Sequence, residues 1–221
     1  MKKLLTLMIV AMMSAVILLF SSCSKTPQQK AEELIKVVML KNLYHPDTYA
    51  PSSTQLDSAY TPYDDPAFYQ ATLKLAKLAI ALEKYDNEMS SEKRSMALWS
   101  DPYQSAYERA NYQEAKKKYD IAQEKFEKAK GEAKTLGQEL AALRNKKKSF
   151  IGFKAVHGYR ANNNAGQTMG GNMLFIFDKD LTKVIAAYDM DKEDYQAVEY
   201  FYKEMRGETS MSDDVTLDGF E

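Results

Sequence analysis

At 221 residues the chain has room for one or two domains. Its 30 basic and 31 acidic side chains leave a formal net charge of −1, a balance that gives no electrostatic case for nucleic acid, which wants a basic face. A single cysteine allows no disulfide within the chain, and two histidines cannot by themselves hold zinc, which takes three or four ligands.

The first 22 residues differ from all the rest. Lys2 and Lys3 give a short positive start. From 4 to 20 there is no charge, and only Thr6 and Ser14 interrupt the apolar run. The pattern is that of a secretory signal peptide, whereas an uncleaved span needs about 20 apolar residues. Leu19-Phe20-Ser21-Ser22-Cys23 resembles a bacterial lipobox. The resemblance implies cleavage before Cys23 by signal peptidase II, a diacylglycerol on its thiol and an acylated new amino terminus. Several acyl chains give near-permanent attachment, since each buried methylene adds roughly 0.8 kcal/mol. The mature chain would then run from 23 to 221, with 28 basic residues against 31 acidic once Lys2 and Lys3 are lost.

Residues 23–30, with Pro27, read as a lipidated tether. A helix is predicted over 28–43, with Ile35, Val38, Leu40 and Leu43 on its apolar side, stopped by His45-Pro46-Asp47. A first strand is placed at 52–60. Asp65 followed by Pro66 is a helix start, a cap and then a first helical residue. The stripe Leu75, Leu78, Leu82, Tyr85 and Met89 carries that helix to about residue 98. Asp101-Pro102 repeats the signal, and the next helix is predicted over 102–146. There Tyr112, Ala115, Tyr119, Ala122, Phe126, Ala129, Ala133, Leu136, Leu140 and Leu143 alternate steps of three and four, a heptad seam. The two helices are expected to form an antiparallel, coiled-coil-like hairpin over 65–149.

From Phe150 the period changes to two. Three further strands are predicted, from 150, over 173–177 and over 182–188, joined as an antiparallel meander. Asp191, with Asp194 three residues on, is expected to cap a last helix bearing Tyr195, Val198, Tyr202 and Met205. Residues 207–221 hold five acidic and no basic residues and read as a disordered tail. The fold class expected is α+β: a small antiparallel sheet packed on helices, built from 31–64 and 150–206, with the long hairpin inserted.

Most site-like groups have a plainer explanation. His45-Pro46-Asp47 copies the tripeptide of J-domain cochaperones but lacks the second helix of that context, so His45 is read as a helix-end residue. His157, within a strand, is read as packed or hydrogen-bonded. Asp57, Asp64 and Asp65 beside Tyr60 and Tyr63 fit turn and cap chemistry better than a calcium or sugar site. Asn162, Asn163 and Asn164 are turn formers that could also present amides to a glycan. Gly170-Gly171 lacks the strand–glycine–helix setting of a phosphate loop. Lys146-Lys147-Lys148 suits the negative end of a helix dipole, ahead of an anionic-lipid contact. No nucleophile has a positioned base, and neither metal nor cofactor is expected. Trp99 and Tyr103, at the turn between the long helices, are the candidate contact residues, since Tyr and Trp are favoured at binding surfaces.

Leu43-Tyr44-His45-Pro46-Asp47-Thr48-Tyr49, Phe150-Ile151-Gly152-Phe153-Lys154, Tyr159-Arg160-Ala161-Asn162-Asn163-Asn164-Ala165-Gly166 and Phe175-Ile176-Phe177-Asp178-Lys179-Asp180 together resemble small exported α+β domains of uncharacterised bacterial lipoproteins. The resemblance implies that the hairpin is an insertion between the first strand and the meander, and brings no activity with it. The expectation is therefore a non-enzymatic lipoprotein of a bacterial cell envelope. It would be lipid-anchored to a membrane, with the outer membrane facing the periplasm favoured, and would bind or space an envelope protein through the hairpin. The alternative is a peptide or glycan held on the sheet by Tyr159, Arg160 and Asn162 to Asn164. A third reading is an envelope hydrolase using acidic residues.

Overall fold

The computed structural model describes residues 25–100 and 105–208. The leader, Cys23, Tyr103, the Asp101-Pro102 pair and the tail from 209 lie outside the described residues. Helix α1 spans Pro27–Asn42. Thr26 closes a capping box: its hydroxyl accepts the Gln29 N–H at 3.2 Å, and the Gln29 side chain accepts the Thr26 N–H at 3.0 Å. The tether predicted over 23–30 is thus shorter than expected. Pro27 opens the helix because its missing N–H and fixed φ suit the first helical position. After α1, Pro46–Thr48 forms a single 3-10 turn and strand β1 follows at Ala50–Tyr60. No second helix packs there, so the J-domain setting is absent.

Helix α2 covers Pro66–Leu98, with the Asp65 carboxylate accepting the Ala67 N–H at 2.9 Å as the sequence predicted. Helix α3 covers Ala106–Arg144. It starts four residues later than expected because Ser105 and Glu108 form a second capping box, at 3.2 and 2.7 Å. The two helices pack antiparallel. Lys74 meets Glu132 at 3.6 Å, Lys125 lies 5.8 Å over the Tyr85 ring, and Trp99 meets Tyr107 edge-on at 6.0 Å. Every residue of the predicted seam is buried or half-buried, with Ala115, Ala122, Ala129 and Leu140 innermost.

Strands β2 (Phe150–Asn162), β3 (Thr168–Phe177) and β4 (Val184–Asp189) complete a four-stranded antiparallel sheet in the order β1-β2-β3-β4. β4 begins two residues later than predicted because Thr182 is held in the preceding turn, its N–H donating to the Asp178 carboxylate at 2.7 Å and its hydroxyl to the other oxygen. The last helix, α4, is Glu193–Arg206 with Lys192 at its cap. Asp191 does not cap it. Its carboxylate instead accepts the Asn172 N–H at 3.2 Å, tying the helix entry to β3.

The molecule is therefore α+β, with helices on both faces of the sheet. On one face Ala31, Ile35 and Met39 of α1, one turn apart, bury against Ala155, Phe175 and Phe177. Fully burying such side chains contributes roughly 1.5–3 kcal/mol each. On the other face Phe68 and Tyr69 of α2, Leu140 of α3, and Val198 and Tyr202 of α4 form a second core, with Tyr188 of β4 packed against it. The long helices are thus rooted in this core rather than merely attached to it.

Candidate functional site

Where the second core meets the sheet, coverage is incomplete and a groove of about 810 Å³ remains. Strand alternation places Val156, Leu174 and Ile176 on its floor. Tyrosines from four elements and a turn wall it: Tyr60 and Tyr63, Tyr69, Tyr188, Tyr195 and Tyr202. Tyr69 and Tyr188 stack at 3.9 Å, and Tyr63 stands edge-on to Tyr202 at 5.1 Å.

The turn after β1 fixes one wall. The Asp64 N–H donates to the Tyr60 carbonyl at 3.1 Å, and the Asp64 carboxylate accepts the Tyr60 N–H at 2.8 Å. Its other oxygen takes the Lys154 ammonium at 2.9 Å. Thr61 and Ser149 exchange backbone and hydroxyl bonds near 3.0 Å, holding the turn against the start of β2. The acidic group at Asp57, Asp64 and Asp65 is therefore divided: Asp65 caps α2, Asp64 braces the turn, and Asp57 faces the groove.

Cations line the groove more densely than acids. Arg144, Lys146, Lys148, Lys154 and Arg206 face it, against Asp57, Asp64 and Glu199. Lys148 lies 4.2 Å over the Tyr60 ring and Arg206 5.2 Å over Tyr63, both within cation–π range. Among the described residues none of Arg144, Lys146 and Lys148 has a carboxylate partner.

Four of the phenols are raised above their ordinary pKa. Burial pushes Tyr188 up to about 12 and raises Tyr69, Tyr195 and Tyr202 further, with nearby acidic groups, Glu199 foremost for Tyr195 and Tyr202, adding to the effect. The Tyr188 and Tyr202 hydroxyls are buried without a hydrogen-bond partner among the described residues. The Thr72 hydroxyl is near enough to favour the Tyr202 phenolate slightly, but it donates to the Phe68 carbonyl at 2.9 Å and makes no bond to Tyr202. Unpaired buried donors of this kind are uncommon in folded proteins.

A second cavity, about 740 Å³, lies between α1 and the start of β1. His157 is at its base, 1% exposed, with Nε2 at 2.8 Å from the Tyr49 hydroxyl and Nδ1 at 2.9 Å from the Thr54 hydroxyl. Burial lowers its pKa, against opposing contributions from Ser53 and Glu32. It is packed and hydrogen-bonded, as read from the sequence.

The residues expected to hold a ligand on the sheet are not brought together. Tyr159 stacks on His157 at an interplanar angle of 2° and lies across Gly171, on the α1 face. Arg160, its neighbour in the strand, points to the opposite face. The Asn163 side-chain oxygen Oδ1 accepts the Ala165 and Gln167 N–H groups, both at 3.0 Å, and Oδ1 of Asn162 accepts the Thr168 hydroxyl at 2.9 Å. Those two side chains shape the turn, and Asn164 is exposed. Trp99 is half-buried at the end of α2 against Tyr107, and Tyr103 lies outside the described residues.

Tyr60 and Tyr63 stand out in the sequence only beside the acidic group at 57–65, while Tyr69, Tyr188, Tyr195 and Tyr202 occupy apolar positions in their own elements, so periodicity describes them as core. The available signal was repetition: tyrosine stands where an aliphatic would serve on α2, β4 and α4 alike. Among the described residues no group of three or more His, Cys, Asp or Glu is placed to hold a metal, and no helix is long and apolar enough to cross a membrane. No family model matches the chain, and neither does any curated protein or solved structure.

Proposed function

We propose that the chain is an exported envelope lipoprotein, anchored to a bacterial membrane through acyl groups on Cys23, that works by binding and not by catalysis. In this reading α2 and α3 are a coiled-coil-like hairpin inserted between β1 and β2, an arm that carries a contact surface away from the sheet. The leader and lipobox-like residues support the anchor. Only Ser24, Lys25 and Thr26 separate Cys23 from α1. At no more than about 3.6 Å per residue, that link holds the sheet close to the bilayer. Reach must then come from the arm, and α3 with its 39 residues is roughly 58 Å long.

The observation that carries the binding role is the end of the arm. Along its length the apolar seam is covered by the partner helix, and the outer faces are mainly charged, with Ile121 the one large apolar side chain exposed there among the described residues, at 44%. At the end, Leu98 is 73% and Tyr107 70% exposed, beside Trp99. Large apolar side chains at the tip of a mainly charged arm fit a small protein contact. The proposed partner is an envelope protein. Among the described residues no arrangement favours the hydrolase reading.

Two experiments test the two halves. Palmitate labelling in a bacterial host should mark the wild type, and Cys23→Ser should abolish the label and leave the precursor unprocessed. Labelling that survives this change would remove the anchor. Photo-crosslinkers at 98 and 107 should give one dominant adduct in intact cells, that at 107 lost in Leu98→Ser/Trp99→Ala, while a probe at 117, along the arm, gives none. Equal adducts at 107 and 117 would remove the tip.

A further inference from the structure

The tyrosine groove has a chemistry that neither anchor nor arm uses. One rim carries Arg144, Lys146 and Lys148 without carboxylate partners among the described residues. Asp57 and Glu199, on other walls, likewise pair with no cation there. Arg144 donates to the Met205 carbonyl at 3.4 Å, Lys148 lies over Tyr60, and Asp57 accepts the Ser58 N–H at 2.7 Å, so the groove holds charge of both signs that is partnered but not neutralised by an opposite charge. A simple anion would meet the rim but be repelled by Asp57 and Glu199. A neutral sugar would satisfy those carboxylates with its hydroxyls and leave the rim unanswered. A ring bearing both hydroxyls and an acid group answers every wall. Its acid takes charge-assisted bonds from the lysines, its hydroxyls donate to Asp57 and Glu199, and its apolar faces lie along the tyrosine walls. The Tyr188 and Tyr202 hydroxyls, just beneath this surface, are donors still lacking an acceptor. The volume, about 810 Å³, falls within the range of small-ligand sites.

We infer that this groove is a binding site for an acidic saccharide, with Lys146 and Lys148 holding the acid group and the tyrosine walls holding the ring. The site is separate from the anchor and from the tip of the arm, although Tyr69 of α2 and Arg144 of α3 help to line it. Acidic sugars reach an envelope surface as free glycan or as the headgroup of a lipid, and the same groove chemistry serves both.

The test is calorimetric titration of the full chain in a neutral detergent with trigalacturonic acid, maltotriose and inorganic phosphate. Trigalacturonate should bind one to one, at least about tenfold tighter than either of the others, and weaken as salt is raised. Lys146→Ala/Lys148→Ala should lose about tenfold or more in affinity with an unchanged melting temperature. Tyr188→Phe, which keeps the ring, should lose several-fold. Competition by vesicles containing phosphatidylinositol supports a lipid-borne source, and its absence with intact binding supports free glycan. Equal binding of maltotriose overturns the role of the charge, and equal binding of phosphate overturns the sugar. Unchanged affinity in the double lysine variant overturns the location. A titration silent in the full chain, and visible only after residues 209–221 are removed, would assign the groove to the acidic tail instead.

Discussion

His157 shows how a single buried group ties stability to pH. Its two ring nitrogens are matched by two hydroxyls, which can act as donor or acceptor, so the neutral ring is fully satisfied. Burial disfavours the imidazolium and sets the folded pKa below the ordinary 6.5. Below pH 6.5 the unfolded chain therefore binds the proton that the folded chain refuses, and stability falls as pH drops from 6.5 towards the folded value. Below that value both states are protonated and the loss stops growing. Urea unfolding at a series of pH values should show this slope in the wild type, and His157→Gln should lack that component. An identical pH profile for the two would show that burial does not control the ring. Tyr49→Phe leaves Nε2 unpaired and should cost about 1–3 kcal/mol at neutral pH. Gly152 is the other residue with no substitute. Its φ is +147°, and an added Cβ would stand 2.2 Å from the Phe177 carbonyl oxygen and 2.9 Å from the Asp178 carbonyl carbon. Both obstacles are backbone and neither can yield, so Gly152→Ala should cost about 3 kcal/mol or more and show as a large drop in melting temperature.

Among the elements, α3 can be improved because its weak points face nothing. An added Cβ at Gly131 or Gly137 meets no atom within 4 Å. Changing each to alanine should stabilise the helix by about 1 kcal/mol. Together they should raise the melting temperature by about 4–8 °C, provided α3 unfolds with the rest of the molecule. No shift in the calorimetric transition would mean that the outer part of α3 melts separately. Ala122, 2% exposed on the seam, is the opposite case. Ala122→Leu overfills a closed interface and should cost about 1–3 kcal/mol. The same contrast explains what the sequence made legible. A seam repeated through ten positions outweighs any single exception, so both long helices and their facing stripes were readable. Their ends were not, because a helix start depends on which of several competent caps wins. Asp101-Pro102 and Ser105–Glu108 are both valid signals, and the described helix uses the second. Asp191 was available as a cap, but the Asn172 N–H across the sheet claimed its carboxylate. The groove was least legible, since it exists only where tyrosines from distant elements converge and their individual periodicities describe them as core.

For the whole molecule, the proposed arm, the paired outer parts of α2 and α3, can be weighed against the sheet and the helices packed on it. Phe68, Tyr69 and Leu140 belong to the same core as Val198 and Tyr202, so the first turns of α2 and the last turns of α3 cover the sheet. Farther out, α2 and α3 touch mainly each other. From Leu82 and Lys125 outward, both helices should therefore be dispensable to the fold. Deleting 83–124 and closing the gap with a short glycine-rich turn should leave a single cooperative unfolding transition and an intact groove, still titratable with trigalacturonate. The tip adducts expected at 98 and 107 would be gone. Phe68→Ala, a change of one residue at the root, should do the reverse and cost about 3–5 kcal/mol, because it opens a cavity where α2 and α4 meet. Loss of cooperative unfolding in the shortened chain would show that the outer arm is part of the folding unit. A body that folds without its arm, and still holds its ligand, would place reach and recognition in two parts of the chain that act independently of each other.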